Sequence, residues 1–435
     1  MMMRRKFPLH WQILIGLLCG LLYGGGVSVF VDEPEQFKNF TSNWIHPWGQ
    51  IFVNSLKLIA VPLVLFSLVN GISSLSNIAK LGKIGGKTIG LYLLTTIIAV
   101  SCGLIVVNVF KPWEAISYEM GQEIIQTFSK KAGSNITNAQ TVNNDSPLKF
   151  IVDLVPQNIF SAATNNSNML QVIVFAVLFG VALLSIPSDK SQPVKKFFDG
   201  VNEVILKIVD FVMYLAPIGT FALIANVFVQ NSTHFTELIT AIGEYSLTVI
   251  TALLLVITIS VFFASIFGKK KPGDFLKSIA PAQLLAFSTS SSAATLPVTM
   301  ECVKNKVGVD KEVTSFVLPL GATINMDGTS CYQAVAAVFI ANVYQFDLDL
   351  MDQLSIVLTA TLASIGSAAV PGAGMVMLAI VLGQLGVPMV GIALIIGVDR
   401  LLDMCRTVVN VTGDAMVATV IGATMKNKKI KSTLK

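Results

Sequence analysis

Between Lys269-Lys270-Lys271 and the lysines Lys304, Lys306 and Lys311 lies a largely apolar stretch, 272–303, broken at its centre by Ser288-Thr289-Ser290-Ser291-Ser292. Lysine-rich segments stay on the cytoplasmic side of a bilayer. A single crossing would leave one lysine flank outside, and each apolar half is shorter than the ~20 residues of a spanning helix. The stretch therefore reads as a helical hairpin that enters from the cytoplasm and returns. A second interrupted stretch, 354–383, is its mirror case. Its flanks, 342–353 and 383–391, hold no lysine or arginine. Its centre is Ser364-Ile365-Gly366-Ser367-Ala368-Ala369-Val370-Pro371-Gly372-Ala373-Gly374, which reads as a hairpin entering from outside. Irregular backbone at membrane depth is tolerated only where protein or a water-filled cavity surrounds it.

Composition sets the frame for both hairpins. The chain is 53% hydrophobic and 13% charged, against about 25% charged in ordinary soluble domains, so it lacks the polar residues to cover a soluble surface. Apolar runs near 11–31, 48–76, 86–110, 148–186, 198–229, 238–267, 308–342 and 386–424 predict eight spanning helices beside the two hairpins. Such runs favour helices over a barrel, whose strands alternate over about ten residues. The basic residues of 1–6 precede the first run, which is too long for a typical signal-peptide core and reads as a span. Lys80, Lys83 and Lys87, then Lys190, Lys195 and Lys196, and the lysines of 426–435 mark further cytoplasmic segments. The polar stretch from Ser117 to Ser146 predicts a flexible external loop. The five cysteines lie in apolar runs without a Cys-x-x-Cys pair and read as buried small hydrophobes, and the three histidines lie near span ends or loops, so neither a histidine-based metal site nor a triad is expected. Gly413-Asp414 follows Val411-Thr412 rather than Gly-x, so an intramembrane aspartyl protease motif is absent and no enzyme is expected.

The chemistry gathers where each hairpin gives way to the next apolar run. Asp399-Arg400-Leu401-Leu402-Asp403-Met404-Cys405-Arg406-Thr407-Val408-Val409-Asn410-Val411-Thr412-Gly413-Asp414 puts five charges into one run. A charge at mid-membrane costs at least ~2.5–3.5 kcal/mol, so each needs a partner. At ~100° per residue, Asp399, Asp403, Arg406, Thr407, Asn410 and Asp414 share one helix face. Asp399 with Arg400 or Asp403 could form a structural pair. Earlier, Asn325-Met326-Asp327-Gly328-Thr329 sets a helix breaker beside a carboxylate; unwinding there would free carbonyls suited to sodium. The serine cluster offers hydroxyls and amides suited to a carboxylate. An arginine fork binds a carboxylate bidentately, and Asp403 one turn from Arg406 suits an ammonium. Asp327, Asp403, Asp414 and Arg406 sum to −2. An acidic amino acid would add −1, so near-neutrality predicts about three co-transported monovalent cations. Two units of one plan, entering from opposite faces, predict an inverted-repeat transporter with its site where the repeats meet.

These motifs are similar to those of the sodium-coupled glutamate/aspartate transporter family, the dicarboxylate/amino acid:cation symporters. The resemblance spans almost the whole chain. It rests on the serine-rich tip with Thr295-Leu296-Pro297-Val298-Thr299, on Asn325–Thr329, on Ser364–Gly374 and on Asp403–Asp414. It implies an all-α fold of eight transmembrane helices plus two oppositely oriented re-entrant hairpins, assembled as a homotrimer in lipid. It further implies scaffold spans in 1–85 and 148–232, a transport domain of 86–112 and 233–425, an extracellular loop at 113–147 and a cytoplasmic tail at 426–435. The transport domain would carry substrate like an elevator. Arg406 would bind the substrate side-chain carboxylate and Asp403 its amino group. Asn410 and Ser290, Ser291 and Ser292 would meet the main-chain groups. Thr329, Thr407 and the second hairpin from Val370 and Pro371 to Gly374 would close the pocket. One sodium would use Gly321, Asn325, Asn410 and Asp414. A second would use Thr323, Met326, Ser364, Ile365 and Ser367. A third would use Tyr92, Thr95, Thr96, Asn325 and Asp327.

Arg406 together with Asp403 favours aspartate or glutamate as substrate. Ala293, in place of a third tip serine, keeps a sodium-coupled neutral amino acid transporter as the alternative, and proton coupling of an acidic amino acid or dicarboxylate is another. Many family members carry an arginine at the place of Ser290 or Met404. Here an arginine stands at Arg400 instead, expected to pair with a carboxylate such as Asp399. The plasma membrane, in a prokaryote the inner membrane, is the expected location, and no nucleic-acid partner is expected.

Overall fold

In the computed structural model the apolar runs fold as helices, and no strand occurs among the described residues. These are residues 9–31, 34–73, 83–117, 119–120, 122, 155–164, 169–230, 232–367 and 372–433. Most of the expected external loop, and with it Val370 and Pro371 of the second hairpin, lies outside them. The principal helices are α1 (Leu9–Phe30), α2 (His46–Ser73), α3 (Lys83–Phe110), α4 (Met169–Ser185), α5 (Ser188–Met213), α6 (Ala216–Gln230) and α7 (Phe235–Ile266). They continue as α8 (Pro272–Thr289), α9 (Ser292–Glu301), α10 (Lys311–Ile324), α11 (Asp327–Val343), α12 (Leu350–Gly366), α13 (Ala373–Gln384) and α14 (Ile392–Thr433).

Each interruption has a local cause. Ser290 takes the left-handed conformation (φ 51°), and Ser291, extended, caps α9 by accepting the amide of Ala294. This breaks the serine run into α8 and α9, which pack against each other. Asn325 and Met326 leave helical geometry (φ −119°, ψ 95° and φ −116°, ψ 54°), separating α10 from α11 where the sequence places a breaker. A capping box starts α12: Asp349 accepts from the Asp352 amide while the Asp349 amide donates to Asp352. Gly372, at φ +82°, starts α13 in a conformation that L side chains avoid. By contrast, α14 runs unbroken through all five of its buried charges.

One element differs from the sequence expectation. The run at 198–229 is neither one straight helix nor wholly apolar. α5 starts at Ser188, carries Lys195, Lys196, Asp199, Glu203, Lys207 and Asp210, and meets α6 at a bend of 51°. Pro217 supplies the reason: it has no amide to offer the carbonyl four residues back, and its ring would clash there.

Among the described residues three helices are long and apolar enough to cross a membrane: Trp11–Phe30, Gly85–Ala115 and Phe235–Ile266, with a fourth if α5 and α6 count as one bent span. Shorter apolar helices lie at Val61–Asn70, Val174–Ser185, Leu350–Ile365 and Ala373–Gln384. Large apolar side chains stay exposed along α1 (Trp11, Ile15, Leu18, Leu22) and α7 (Leu247, Leu254, Phe262). An exposed apolar face of that extent belongs against lipid or another protein surface.

Packing sorts the helices into two groups. In the first, α1 is laid along α6, and α2 packs against α4, α5 and α6; across to the second group, α1 and α6 meet α14, and α2 meets α12 and α13. α3 and α7–α14 contact one another, with α11 at their centre against α3, α7, α12, α13 and α14. Every side chain of α11 except Asn342 is buried. Its approach to α14 is close at Gly328, where a Cβ would collide with the carbonyl of Arg406.

Candidate functional site

The polar face of α14 looks into the middle of the second group. Arg406 has no exposed surface. Its Nη2 lies 2.8 Å from Asp403 Oδ1 and its Nη1 3.0 Å from Asp399 Oδ1. Helix geometry produces this arrangement. Long side chains on a helix lean toward its N-terminus, so Arg406 reaches back one turn to Asp403 and two turns to Asp399. The ring of Tyr332, on α11, covers the guanidinium from one side, with Cζ 3.9 Å from the ring centroid. Gly374 lies against it too, since a Cβ there would stand 3.0 Å from Nη1.

The pairing of Arg400 corrects the sequence expectation. Arg400 Nη1 meets Asp403 Oδ2 at 3.3 Å, while Asp399 belongs to Arg406. Adjacent residues on a helix point about 100° apart, whereas residues three apart are neighbours. The four side chains thus form one chain of alternating charge, Asp399–Arg406–Asp403–Arg400. The amide of Gly372 adds a third donor to Asp403, at 3.2 Å from Oδ2.

On the other side of Asp403 lies a small cavity lined by Ser290, Ser292, Met326, Thr329, Ser367, Ala373, Gly374, Asp403, Thr407 and Asn410. The structure thereby brings the two broken tips, the α10–α11 break and the face of α14 to one place. The cavity volume is about 10 Å³, room for about one water molecule. Any larger occupant needs these walls to separate. Among the described residues Ser290 Oγ is buried without a hydrogen-bond partner, and Thr407 donates to the Asp403 carbonyl at 2.8 Å. Asn410 ties the break to α14: it accepts the Gly328 amide at 2.8 Å and donates to Thr329 Oγ1 and Met326 Sδ, each at 3.3 Å.

A second polar cluster sits farther along α14. Asn325 Nδ2 donates to Asp414 Oδ1 at 3.0 Å. Thr96 donates to Asp327 Oδ1 at 2.8 Å, and Thr95 lies 3.4 Å from both Asn325 Oδ1 and Asp327 Oδ1. Asp327 Oδ2 is buried with no hydrogen-bond partner among the described residues. Tyr92 donates to the Val317 carbonyl at 2.9 Å, and its hydroxyl crowds Gly321 together with Asp414 Oδ1, where a Cβ would overlap both. Two carboxylates, an amide oxygen and three hydroxyls, all on buried residues, form a hard, oxygen-rich set suited to a small cation. Of the remaining expected ligands, Ser364 Oγ accepts the Met326 amide at 2.9 Å, and Ser367 is buried nearby. Ile365 is half-buried, and Thr323 is exposed with its hydroxyl turned to its own helix carbonyls. Among the described residues no cluster of three or more His, Cys, Asp or Glu side chains could hold a metal ion.

Sequence reasoning missed Tyr332 and Gly328. The first carries no motif; only the requirement that a buried guanidinium be covered on its faces would have pointed to an aromatic residue. The second lay inside Asn325–Thr329 but was read as a helix breaker, whereas in the structure it is a contact between α11 and α14.

Comparisons with known proteins agree with this chemistry. The model of the sodium:dicarboxylate symporter family matches residues 9–424. A proton/sodium-glutamate symport protein of Geobacillus stearothermophilus is 35% identical over 96% of this chain and 94% of its own length. A proton/glutamate-aspartate symporter of Escherichia coli (strain K12) is 35% identical over 96% and 92%. Excitatory amino acid transporter 3 of Homo sapiens is 34% identical over 94% and 85%.

Proposed function

The chain belongs to the sodium:dicarboxylate symporter family, and on that premise we propose that it is a membrane symporter that couples inward sodium movement to uptake of aspartate or glutamate. The observation that carries the substrate class is Arg406: a guanidinium with no exposed surface, beside a cavity walled by Asp403, with serine, threonine and asparagine side chains around it. A substrate with a second carboxylate takes Arg406, and its ammonium takes Asp403. Ser290–Ser292, Thr329, Thr407, Asn410 and the tip from Val370 to Gly374 enclose it. Gly321, Asn325, Asn410 and Asp414 bind one sodium, Thr323, Met326, Ser364, Ile365 and Ser367 a second, and Tyr92, Thr95, Thr96, Asn325 and Asp327 a third.

The same proposal includes eight spanning helices with two re-entrant hairpins, α8–α9 and α12–α13. It also includes a scaffold of α1, α2 and α4–α6, along which α3 and α7–α14 move as one unit. The separation of the packing into those two groups supports the division. A homotrimer in a bacterial inner membrane completes it; exposed Trp44, Trp48, Ile51 and Leu58 leave the α2 region apolar surface for lipid or other copies.

The relatives' names include protons as well as sodium, so a proton-coupled symporter is the second reading. Uptake of labelled aspartate, glutamate, serine and succinate into proteoliposomes, under a sodium gradient or a pH gradient, tests both. The proposal expects acidic amino acid uptake that needs sodium. Uptake of serine without aspartate or glutamate would overturn the substrate, and uptake driven by the pH gradient alone would overturn the ion.

A further inference from the structure

Asp403 divides two spaces. One is the cavity of serines, threonines and Asn410. The other, on the opposite side, lies between α14 and the first helix group, and there Arg400 and Asp399 stand with Phe52, Met213 and Ala216. Arg400 faces this seam, not the cavity. It is 92% buried, and among the described residues its Nε has no hydrogen-bond partner. Among the described residues its only carboxylate contact within ion-pair range is Asp403 Oδ2. With Arg400 in place, Asp399, Arg400, Asp403 and Arg406 sum to zero. Without it they would sum to −1, at a seam lined chiefly by apolar side chains.

The geometry points to Arg400 as the counter-charge of the empty carrier: it holds Asp403 neutralised when no substrate ammonium is present, so that the unloaded helix group can move back along the scaffold. This rests on the transport reading above. In the loaded carrier the substrate ammonium takes over at Asp403, its carboxylate occupies Arg406, and the co-transported cations balance the substrate's net negative charge. Arg400 is then less needed. An uncompensated charge has to be desolvated at an apolar interface, so removing Arg400 slows the empty return and spares the loaded crossing. Arg400 is a positioning residue, since nothing places it against the substrate.

Two assays on the full chain in proteoliposomes separate these crossings. Net uptake of labelled aspartate under a sodium gradient requires the empty return; exchange of external labelled for internal unlabelled aspartate does not. Arg400→Gln is expected to lower net uptake about tenfold or more while exchange stays within about twofold, and Arg400→Lys to restore net uptake. Unchanged net uptake in Arg400→Gln would overturn the inference. So would equal loss of both activities, which would assign Arg400 to binding or folding, or failure of lysine to rescue. Wild-type protein that exchanges no acidic amino acid would overturn the transport reading itself, and this inference with it.

Discussion

Arg406 and Asp399, seven residues apart, are ion partners: Nη1 stands 3.0 Å from Oδ1. The contact runs along the inside of α14, away from the cavity, so Asp399 anchors the guanidinium from behind while Asp403 holds its front edge. On the proposed function, a substrate carboxylate arriving at Arg406 would compete with carboxylates already there, and binding would be an exchange of partners. Breaking such a buried pair from one side costs about 3–5 kcal/mol, because the other charges stay behind. Arg406→Cys is expected to abolish acidic amino acid uptake while sparing or creating binding of neutral ones, and to lower the thermal unfolding midpoint in detergent. Adding Asp399→Asn should recover part of that midpoint without recovering acidic uptake. Continued aspartate binding by Arg406→Cys would reassign the arginine.

The stacking of Tyr332 on Arg406, at 3.9 Å, contributes through the face of the ring. A desolvated cation–π contact is worth about 2 kcal/mol, or roughly thirtyfold in affinity. Tyr332→Leu should weaken aspartate binding by about that factor, with Tyr332→Phe much closer to wild type. Isothermal titration of the two variants checks this; equal losses would mean that the hydroxyl, not the ring face, matters.

At the second cluster, Gly321 leaves room for Asp414 and the Tyr92 hydroxyl. A methyl group there would displace the carboxylate. Gly321→Ala is expected to raise the sodium concentration for half-maximal uptake about tenfold or more, as expected for loss of a buried charge-assisted contact. Thr96→Val removes the 2.8 Å bond to Asp327 and should shift it in the same direction by less. Sodium titrations of uptake at fixed aspartate separate the two. An unchanged sodium curve in both variants would remove this cluster from the ion path.

Gly372 combines a left-handed backbone with close approach to Met213, whose Sδ would lie 2.8 Å from an added Cβ. Gly372→Ala therefore meets two penalties, about 1–2 kcal/mol from the backbone and a steric one from α5. Uptake should fall, and Met213→Ala should relieve only the steric part. Complete rescue by Met213→Ala would show that the backbone conformation is unimportant.

The breaks were legible in the sequence because they involve residues that cannot stay quiet in an apolar helix. The serines at 288–292 and the Asn325-Met326-Asp327-Gly328 run mark the two breaks whose residues are fully described. The face of α14 was legible for the same reason, since each charge declares itself. The pairing was not. The letters Asp399-Arg400 suggest neighbours, but a helix turns them apart and hands each to a residue three or seven positions on. The bend after Met213 was overlooked because the run around Pro217 is apolar on both sides. Thr95, Thr96 and Tyr92 were visible only through family resemblance, since hydroxyls are ordinary in membrane helices and only Asp327, more than 200 residues away, gives them a purpose. Val370 and Pro371 stay expectations, outside the described residues.

Asp403 and Asp414 lie eleven residues apart on the unbroken α14, about 16 Å along its axis. That rod works as a ruler: whatever occupies the carboxylate-lined cavity and whatever occupies the oxygen-rich cluster keep a fixed spacing. Communication between them must therefore travel through the interrupted helices opposite, at Asn325–Gly328 and at the two tips. The labour is divided by continuity of backbone. Substitutions of the ruler's residues that face the cavity or the oxygen-rich cluster should change what is recognised, and substitutions at the breaks should change when it is held or released.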